Sequence, residues 1–408
     1  MNTKQLPALP LSDKVNGIAE ALSIYINQLV YAQKRKGLDI VTLSLGEVFF
    51  EIPLFPFDQL NFESGYHYSD SRGLPELRQK IVDLYHQRYQ AKIGSIDEVL
   101  ISSGSKAIIY MVLLAVLNQG DEVLIHEPAW LSYQEQVKLA DGVPVFIPFD
   151  CPIENFHHHF HERTKILILN NPNNPAGWVY RADELRQIYQ QCRQRGIYLL
   201  VDEAYSDFLD DGVFTSLAAL APDLDGAVIV NSLSKNFGLS GWRIGYAIAE
   251  KRLMYAMLKL NQHLITCAPT ILQLYLAEYF DVIARITQPQ AQAIVKKRQR
   301  LQAALDQLQL SYLPGEATFY FFVSIAGFAD SALDFCLTLL FKHGIAAVPG
   351  SAYGASTGNF IRISIGLESE QRIKEALGVI KALIDQKKAD QSYLDQQLRA
   401  NGMQRFAE

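Results

Sequence analysis

The segment at residues 232–245 reads Ser-Leu-Ser-Lys-Asn-Phe-Gly-Leu-Ser-Gly-Trp-Arg-Ile-Gly and directly follows an apolar run, Ala227 to Val230. The run has the length and composition of a buried β-strand, which places Lys235 just beyond a strand end. A lysine amine in such a place is a candidate nucleophile toward a carbonyl compound. Ser232, Ser234 and Arg243 carry the hydroxyl and guanidinium groups that bind phosphate. The segment therefore predicts an amine beside an anion-binding cluster.

Short apolar runs alternate with helical stretches on both sides of this segment, between about residues 95 and 250. With Ala227–Val230, the predicted strands are Val99–Ile101, Glu122–Ile125, Val143–Phe149, Lys165–Leu169, Ile197–Val201 and Ile244–Ala249. The intervening helices are Ser105–Leu117, Leu131–Leu139 and Ala182–Arg195. Strands that are apolar on both faces are typical of a mostly parallel sheet covered by helices. We therefore expect an α/β fold with a seven-stranded sheet and a ligand site at the carboxyl ends of its strands.

The last third of the chain has a different pattern. It predicts strands at Phe319–Ile325 and Phe360–Ile365, helices at Ala332–His343 and Ser369–Ile384, and a long exposed helix at Gln288–Leu308. This is an α+β pattern, and it indicates a second, smaller domain. We expect a large domain over residues 45–285 and a small domain formed by residues 1–44 and 286–385. Residues 386–408 are interpreted as a polar tail, either a frayed helix or disordered.

Composition narrows the class of protein. The 408 residues are 49% hydrophobic and 20% charged with a net charge of −6, which suits a globular protein and argues against nucleic acid or anionic membranes as partners. The four cysteines are far apart, and Met1–Pro7 has no apolar signal core, so we expect a cytoplasmic protein. The cluster His157–His161 lacks a completing cysteine or carboxylate pattern, and we predict no metal site there.

Two further residues follow the strand Ile197–Val201. Asp202 ends this strand, where an ionised carboxylate is costly without a cationic partner. A protonated pyridine nitrogen would be such a partner, and Tyr205 could bind a phenolic oxygen on the same ring. With Lys235 for an aldehyde and the serine–arginine cluster for a phosphate, these groups match pyridoxal phosphate. The alternative interpretation is a helix-capping aspartate and a core tyrosine.

Three more segments carry candidate ligands. The turn Asn170–Gly177 is rich in proline and asparagine, and Asn174 could hold a phenolate in one geometry. Gly104, Ser105 and Lys106 open a predicted helix whose free N–H groups can bind phosphate. Arg362 lies in mid-strand, where a substrate carboxylate would match it, although an internal salt bridge or a place on an edge strand is an equal alternative. Neither GxxxxGK[ST] nor GxGxxG occurs, which argues against nucleotide-binding loops.

Together, these motifs resemble those of the class I/II pyridoxal-phosphate aminotransferases of the aspartate aminotransferase superfamily, fold type I, over roughly residues 12–385. The segment 232–245 fits the family's whole cofactor-attachment pattern. The resemblance implies that Lys235 bonds the cofactor and later moves the Cα proton, that Asp202 pairs with the pyridine nitrogen, and that Asn174 and Tyr205 bind the phenolic oxygen. The residues that would surround the phosphate are Gly104, Ser105, Lys106, Ser232, Ser234 and Arg243.

The resemblance also implies roles in ring stacking, in the subunit interface and in substrate binding. Trp130 would stack on the cofactor ring, and Tyr68 would reach the phosphate of a neighbouring subunit, which implies a homodimer. Arg362 would bind the substrate α-carboxylate with help from the backbone at Gly46 and from Asn174. The implied substrates are an amino acid and a 2-oxo acid.

The chain departs from the family pattern at two places. Ala176 stands where threonine is common, and Glu47–Pro53 replaces a segment that often begins with proline. In the family, that segment helps to shape the substrate pocket, so we expect a substrate that is unusual for the family. The alternative reactions on the same scaffold are β-elimination, decarboxylation, racemisation and cyclisation, and a cofactor-sensing regulator is a remote alternative.

Overall fold

The computed structural model describes residue 9, residues 11–210 and residues 214–406. The strands are β1 Val41–Thr42, β2 Val99–Ser102, β3 Glu122–His126, β4 Val143–Ile147, β5 Thr164–Asn170, β6 Tyr198–Asp202, β7 Ala227–Ser232, β8 Gly245–Ala249, β9 Tyr320–Ser324, β10 Ile345–Ala346, β11 Val348–Pro349 and β12 Phe360–Ser364. The helices are α1 Asp13–Asn16, α2 Leu22–Arg35, α3 Phe62–Gly65, α4 Pro75–Tyr89, α5 Ser105–Val116, α6 Ser132–Leu139, α7 Ala182–Gln194, α8 Leu233–Asn236, α9 Lys251–Leu264, α10 Thr270–Gln307, α11 Ala332–His343, α12 Glu370–Gln386 and α13 Gln391–Ala400.

A central seven-stranded sheet has the order β2-β8-β7-β6-β5-β3-β4. Strands β4, β3, β5, β6 and β7 are mutually parallel, whereas β8 is antiparallel to both of its neighbours. Apolar clusters lie on each face of this sheet, because its strands are buried on both sides. The prediction of an α/β fold with a mostly parallel, helix-covered sheet is confirmed, and all seven predicted strands are present.

The direction of the strands brings distant segments to one edge of this sheet. Parallel strands β5, β6 and β7 end there at Asn170, Asp202 and Ser232. Because β8 runs the opposite way, its beginning at Gly245 lies beside Ser232. The residues just before β8, including Arg243, therefore join the carboxyl ends of the parallel strands.

A second group of elements packs around its own apolar core. It contains the antiparallel sheet β11-β12-β9 and the parallel pair β1-β10, with α2, α11 and α12 against them. The predicted strands and helices of the last third are found here, but the expectation of an exposed helix at Gln288–Leu308 is wrong. Helix α10 begins earlier, at Thr270, and buries one face along its length, including Val295, Arg298 and Leu305.

The interpretation of residues 386–408 as a frayed or disordered tail is also wrong for the part that the structure describes. Helix α13 spans Gln391–Ala400. Asp390 caps its N-terminus, because the Asp390 side chain accepts a hydrogen bond from the Tyr393 amide. Leu394 and Leu398 lie one turn apart and are buried against the second core. These two residues form the apolar face by which the helix docks onto that core.

Replacing Leu398 with alanine is expected to lower the free energy of unfolding by about 3 kcal/mol, because the substitution leaves a cavity in this core. Urea unfolding followed by circular dichroism measures the change. Gln396→Ala in the same helix is the control, since Gln396 is exposed. Equal stability of both variants would contradict the packing of α13.

The histidine cluster lies on a surface connection between β4 and β5. Residues Ile153–His159 form a 3₁₀ segment, and His161 Nδ1 lies 2.8 Å from Glu122 Oε2. Among the described residues, no group of three or more His, Cys, Asp or Glu side chains could hold a metal ion. Within the same ranges, no helix is long and apolar enough to cross a membrane.

Candidate active site

A cavity of about 270 Å³ opens at the strand edge where β5, β6 and β7 end, and the second group of elements closes its other side. It is lined by Gly46, Ser105, Lys106, Trp130, Asn174, Asp202, Tyr205, Ser232, Ser234, Lys235, Arg243 and Arg362. These residues come from segments spread over more than 300 positions of the chain. The structure thus brings every predicted site residue to this cavity except two. Gly104 precedes the lining residue Ser105 but does not itself line the cavity, and Tyr68 lies elsewhere.

Lys235 projects into the cavity from α8, the single helical turn that follows β7. Its Nζ donates a hydrogen bond to the Gly46 carbonyl at 2.5 Å. Burial is the main cause that lowers the pKa of Lys235 to about 8, while the Glu47 carboxylate acts in the opposite direction. A considerable share of the amine is therefore neutral, and nucleophilic, near physiological pH.

Asp202 is buried at the end of β6, where two hydrogen bonds hold its carboxylate. The Tyr133 hydroxyl donates to Oδ2 at 2.8 Å, and the Ala204 amide donates to Oδ1 at 3.1 Å. Burial raises the pKa of Asp202 to about 6, whereas these two hydrogen bonds and the positive charge of Lys235 act to lower it. A cation that binds next to the Asp202 carboxylate would be stabilised, because this buried negative charge has no ion pair among the described residues.

Asn174 and Tyr205 form a connected polar wall opposite Lys235. Asn174 Nδ2 donates to the Tyr205 hydroxyl at 3.2 Å, and the Tyr205 and Tyr320 hydroxyls lie 3.1 Å apart. Asn170 supports the turn from below, because its Oδ1 accepts from the Asn174 amide at 2.6 Å. These contacts fix the Asn174 side chain and the Tyr205 hydroxyl next to each other in the cavity wall.

Hydroxyl and cationic groups form an anion-binding cluster at one end of the cavity. The Ser232 and Ser234 hydroxyls lie 2.8 Å apart, and Arg243 Nη1 lies 3.4 Å from Ser234 Oγ. The N-terminus of α5 faces them at Ser105. Gly104, with φ of 82°, allows this approach, since a Cβ there would lie 2.7 Å from Arg243 Nη2.

Arg362 lines the same cavity from the middle of β12. Its Nη2 donates to the Ser44 carbonyl at 2.8 Å and its Nη1 to Asn174 Oδ1 at 3.3 Å, while Nε is buried and has no partner in the described structure. The guanidinium also lies 4.5 Å from the centre of the Tyr320 ring. The described residues offer it no ion pair, so the alternative of an internal salt bridge is wrong, and a buried charge remains for a ligand.

The remaining predicted residues divide into two cases. Trp130 lines the cavity and packs edge-on against Tyr133, with the Lys106 ammonium 5.0 Å from its ring centre. Tyr68 does not reach this cavity, and its side chain is 86% exposed. Its proposed role toward a second subunit stays a prediction.

Sequence reasoning missed several residues of the site: Asn27, Ser44, Tyr133, Asn170, Ser240 and Tyr320. Asn170 could have been found, because it ends β5 next to Asp202 and opens the turn that carries Asn174. Tyr133 could have been inferred less directly, because it lies three residues after the predicted site residue Trp130 at the start of a predicted helix. Nothing local marks Tyr320 or Asn27, which reach the cavity only through the packing of the second group of elements.

Sequence comparison with known proteins identifies the family of this chain. Residues 56–380 match the family model described as aminotransferase class I and II. A probable aspartate/prephenate aminotransferase of Aquifex aeolicus is 29% identical over 92% of this chain and 99% of its own. A (5-formylfuran-3-yl)methyl phosphate transaminase of Methanocaldococcus jannaschii is 31% identical over 88% and 95%.

Structural similarity leads to the same family. The structure of the Thermus thermophilus aspartate aminotransferase with maleate superimposes with a TM-score of 0.83 at 28% identity, over 92% of this chain and all of that one. The described fold is therefore fold type I. The chain belongs to the class I and II aminotransferases, and it is an enzyme that transfers an amino group between an amino acid and a 2-oxo acid.

Proposed function

We propose that this aminotransferase works with pyridoxal phosphate attached at Lys235, and that Arg362 binds the α-carboxylate of its amino acid and 2-oxo acid substrates. The observation that carries the proposal is the placement of an amine, a buried carboxylate and an anion-binding cluster around one cavity. The relatives are named as aminotransferases and transaminases, which favours amino transfer over elimination, decarboxylation, racemisation or cyclisation.

The residues present fit this cofactor. Ser105, Ser232, Ser234 and Arg243 supply the donors that a phosphate needs. Asp202 offers a buried carboxylate for a ring nitrogen, and the donors that reach it within the described part of the chain, the Tyr133 hydroxyl and the Ala204 amide, are neutral. Asn174 and Tyr205 would hold a phenolic oxygen, and Trp130 offers an aromatic face. When bound, pyridoxal phosphate supplies a carbonyl that accepts the amino nitrogen and a ring that accepts an electron pair from Cα.

Lys235 has two tasks in this proposal. Its neutral Nζ is the nucleophile that attaches the cofactor, and when displaced it can accept and return the substrate's Cα proton. Burial, helped by the charges of Arg362 and Arg243, keeps its pKa near the operating pH. Its hydrogen bond to the Gly46 carbonyl holds Nζ between the two ends of the cavity.

The other residues bind and orient. Asp202 in its ionised form favours a protonated ring nitrogen, and Tyr133 stabilises that ionised form by donating to Oδ2. Arg362 fixes the substrate carboxylate, and the Asn174 side chain links it to Tyr205. Arg362 and Lys235 line the same cavity, so holding the substrate carboxylate at Arg362 would reduce the entropic cost of proton transfer at Lys235 Nζ.

The rate of cofactor attachment should depend on pH in a way that reports Lys235. Only the neutral amine reacts, so the rate is expected to rise about tenfold per pH unit below pH 8 and to level off above it. Stopped-flow absorbance after mixing pyridoxal phosphate with cofactor-free protein gives the profile. A profile that still rises tenfold per unit beyond pH 9 would show a lysine without this lowered pKa.

A single-turnover experiment tests the reaction. Cofactor-loaded enzyme without an acceptor is mixed with each of a panel of amino acids, and the released products are quantified. We expect one equivalent of 2-oxo acid per site, with the nitrogen retained on the cofactor as the amine form. Release of ammonia or carbon dioxide, or an isomerised amino acid, would instead support one of the rival reactions.

We also infer that the enzyme is a cytoplasmic homodimer. Exposed Tyr68 and Tyr66 support a dimer, since a residue lent to a second site must project from its own subunit. The thiols of Cys151, Cys192 and Cys267 are free, which is compatible with a reducing compartment. Light scattering coupled to gel filtration tests the assembly, and a monomer at catalytic concentrations would contradict it.

A further inference from the structure

The segment Ser44–Glu47 forms a bridge along one wall of the cavity. At its start, the Ser44 carbonyl accepts a hydrogen bond from Arg362, and the Gly46 carbonyl accepts one from Lys235. At its end, the Glu47 carboxylate accepts a hydrogen bond from the Ser240 hydroxyl. The segment thus contacts Arg362, Lys235 and Ser240 in turn.

Ser240 begins the 3₁₀ turn Ser240–Trp242 that leads directly to Arg243. Arg243 has a left-handed backbone with φ of 56°, and its Nη1 donates to the Ser240 carbonyl at 2.7 Å. The same Nη1 lies 3.4 Å from Ser234 Oγ. The position of Ser240 therefore determines where the Arg243 guanidinium lies relative to the serine hydroxyls.

Glu47 is partly buried, and its carboxylate makes no ion pair within 4 Å among the residues that the structure describes. Its contact with Ser240 joins two segments 193 positions apart in sequence. An isolated carboxylate at such a site favours a fixed donor, so this contact can hold the turn in one position.

We propose that Glu47 is a positioning residue, which holds the turn at Ser240 so that Arg243 is preorganised for the phosphate of the cofactor. This inference rests on the proposed use of pyridoxal phosphate and deepens it. A competing explanation is that the charge of Glu47 acts on the Lys235 amine, independently of Ser240. The two explanations differ in what the Ser240 hydroxyl should contribute.

The test is an equilibrium titration of cofactor-free protein with pyridoxal phosphate, followed by absorbance, for Glu47→Ala, Ser240→Ala, their double variant and Glu47→Gln. Each single alanine variant is expected to bind about fivefold to tenfold more weakly, the worth of one hydrogen bond. The double variant should be no weaker than either single one, because both lose the same contact. Glu47→Gln keeps an acceptor oxygen and should stay within about twofold of the parent.

Pyridoxal, which lacks the phosphate, separates positioning of Arg243 from a general loss of structure. Its affinity should be unchanged in all four variants, and Glu51→Ala is the matched control, since Glu51 is an exposed acid shortly after this segment. Parent-like binding of pyridoxal phosphate by Glu47→Ala or by Ser240→Ala would overturn the inference. So would additive losses in the double variant, equal weakening of pyridoxal binding, or Glu47→Gln as weak as Glu47→Ala. Failure of the unmodified protein to bind the cofactor would instead refute the proposed function.

Discussion

Replacing Lys235 with alanine is expected to lower kcat/KM for amino transfer by at least about 10³-fold, because the variant loses both the attaching amine and the base that moves the Cα proton. The fold should survive, since Lys235 lines a cavity and, among the described residues, its Nζ donates a hydrogen bond to the Gly46 carbonyl and makes no ion pair. Steady-state assay of 2-oxo acid formation measures the loss, and circular dichroism confirms folding.

Two control variants make this result specific. Lys251→Ala removes an exposed lysine at the start of α9 and should leave activity unchanged. Lys235→Arg keeps a positive charge but offers no amine of suitable pKa, and it should be as inactive as Lys235→Ala. Steady-state transamination retained by either Lys235 variant would contradict the assignment.

Replacing Arg362 with leucine is expected to raise KM for the amino acid by about 10²-fold or more, because the substrate carboxylate loses a buried guanidinium partner. The cofactor-free variant should be about as stable as the parent, because removing a buried charge whose Nε has no partner in the described structure offsets the loss of its hydrogen bonds to Ser44 and Asn174. This combination of weaker substrate binding with undiminished stability distinguishes a binding residue from a structural one. Substrate titration and thermal unfolding measure the two effects.

Arg362→Lys retains the charge without the two-pronged geometry, so its KM should fall between those of the parent and Arg362→Leu. Arg300→Leu, at an exposed arginine of α10, is the control for loss of a surface charge. An unchanged KM in Arg362→Leu, or a large loss of stability without a change in KM, would mean that Arg362 serves the fold rather than the substrate.

Most of the sheet, and the site residues at the ends of its strands, could be predicted because the sequence patterns that mark them are local. Each buried strand is a short apolar run, and the chemistry-bearing residues follow directly at its end, as Asp202 and Ser232 show. Parallel pairing then brings these ends together without further information. The antiparallel β8 was not specified in advance, yet it is what brings Arg243 to the same edge.

The parts that could not be predicted depend on packing between distant segments. Tyr320 and Asn27 reach the cavity only because the second group of elements closes over it. Helix α10 looked exposed after Gln288, because its buried residues are spaced among many polar ones over a very long helix. In α13, only Leu394 and Leu398 identify the docked face, and two residues are too few to define a periodic pattern.

The most direct test of the central claim is to identify the lysine that carries the cofactor. Enzyme loaded with pyridoxal phosphate is reduced with borohydride, which makes the cofactor–lysine bond permanent, and its peptides are then mapped by mass spectrometry. We predict one equivalent of cofactor per chain, on Lys235. Modification of Lys106, which also lines the cavity, or scattered labelling of surface lysines would contradict the account.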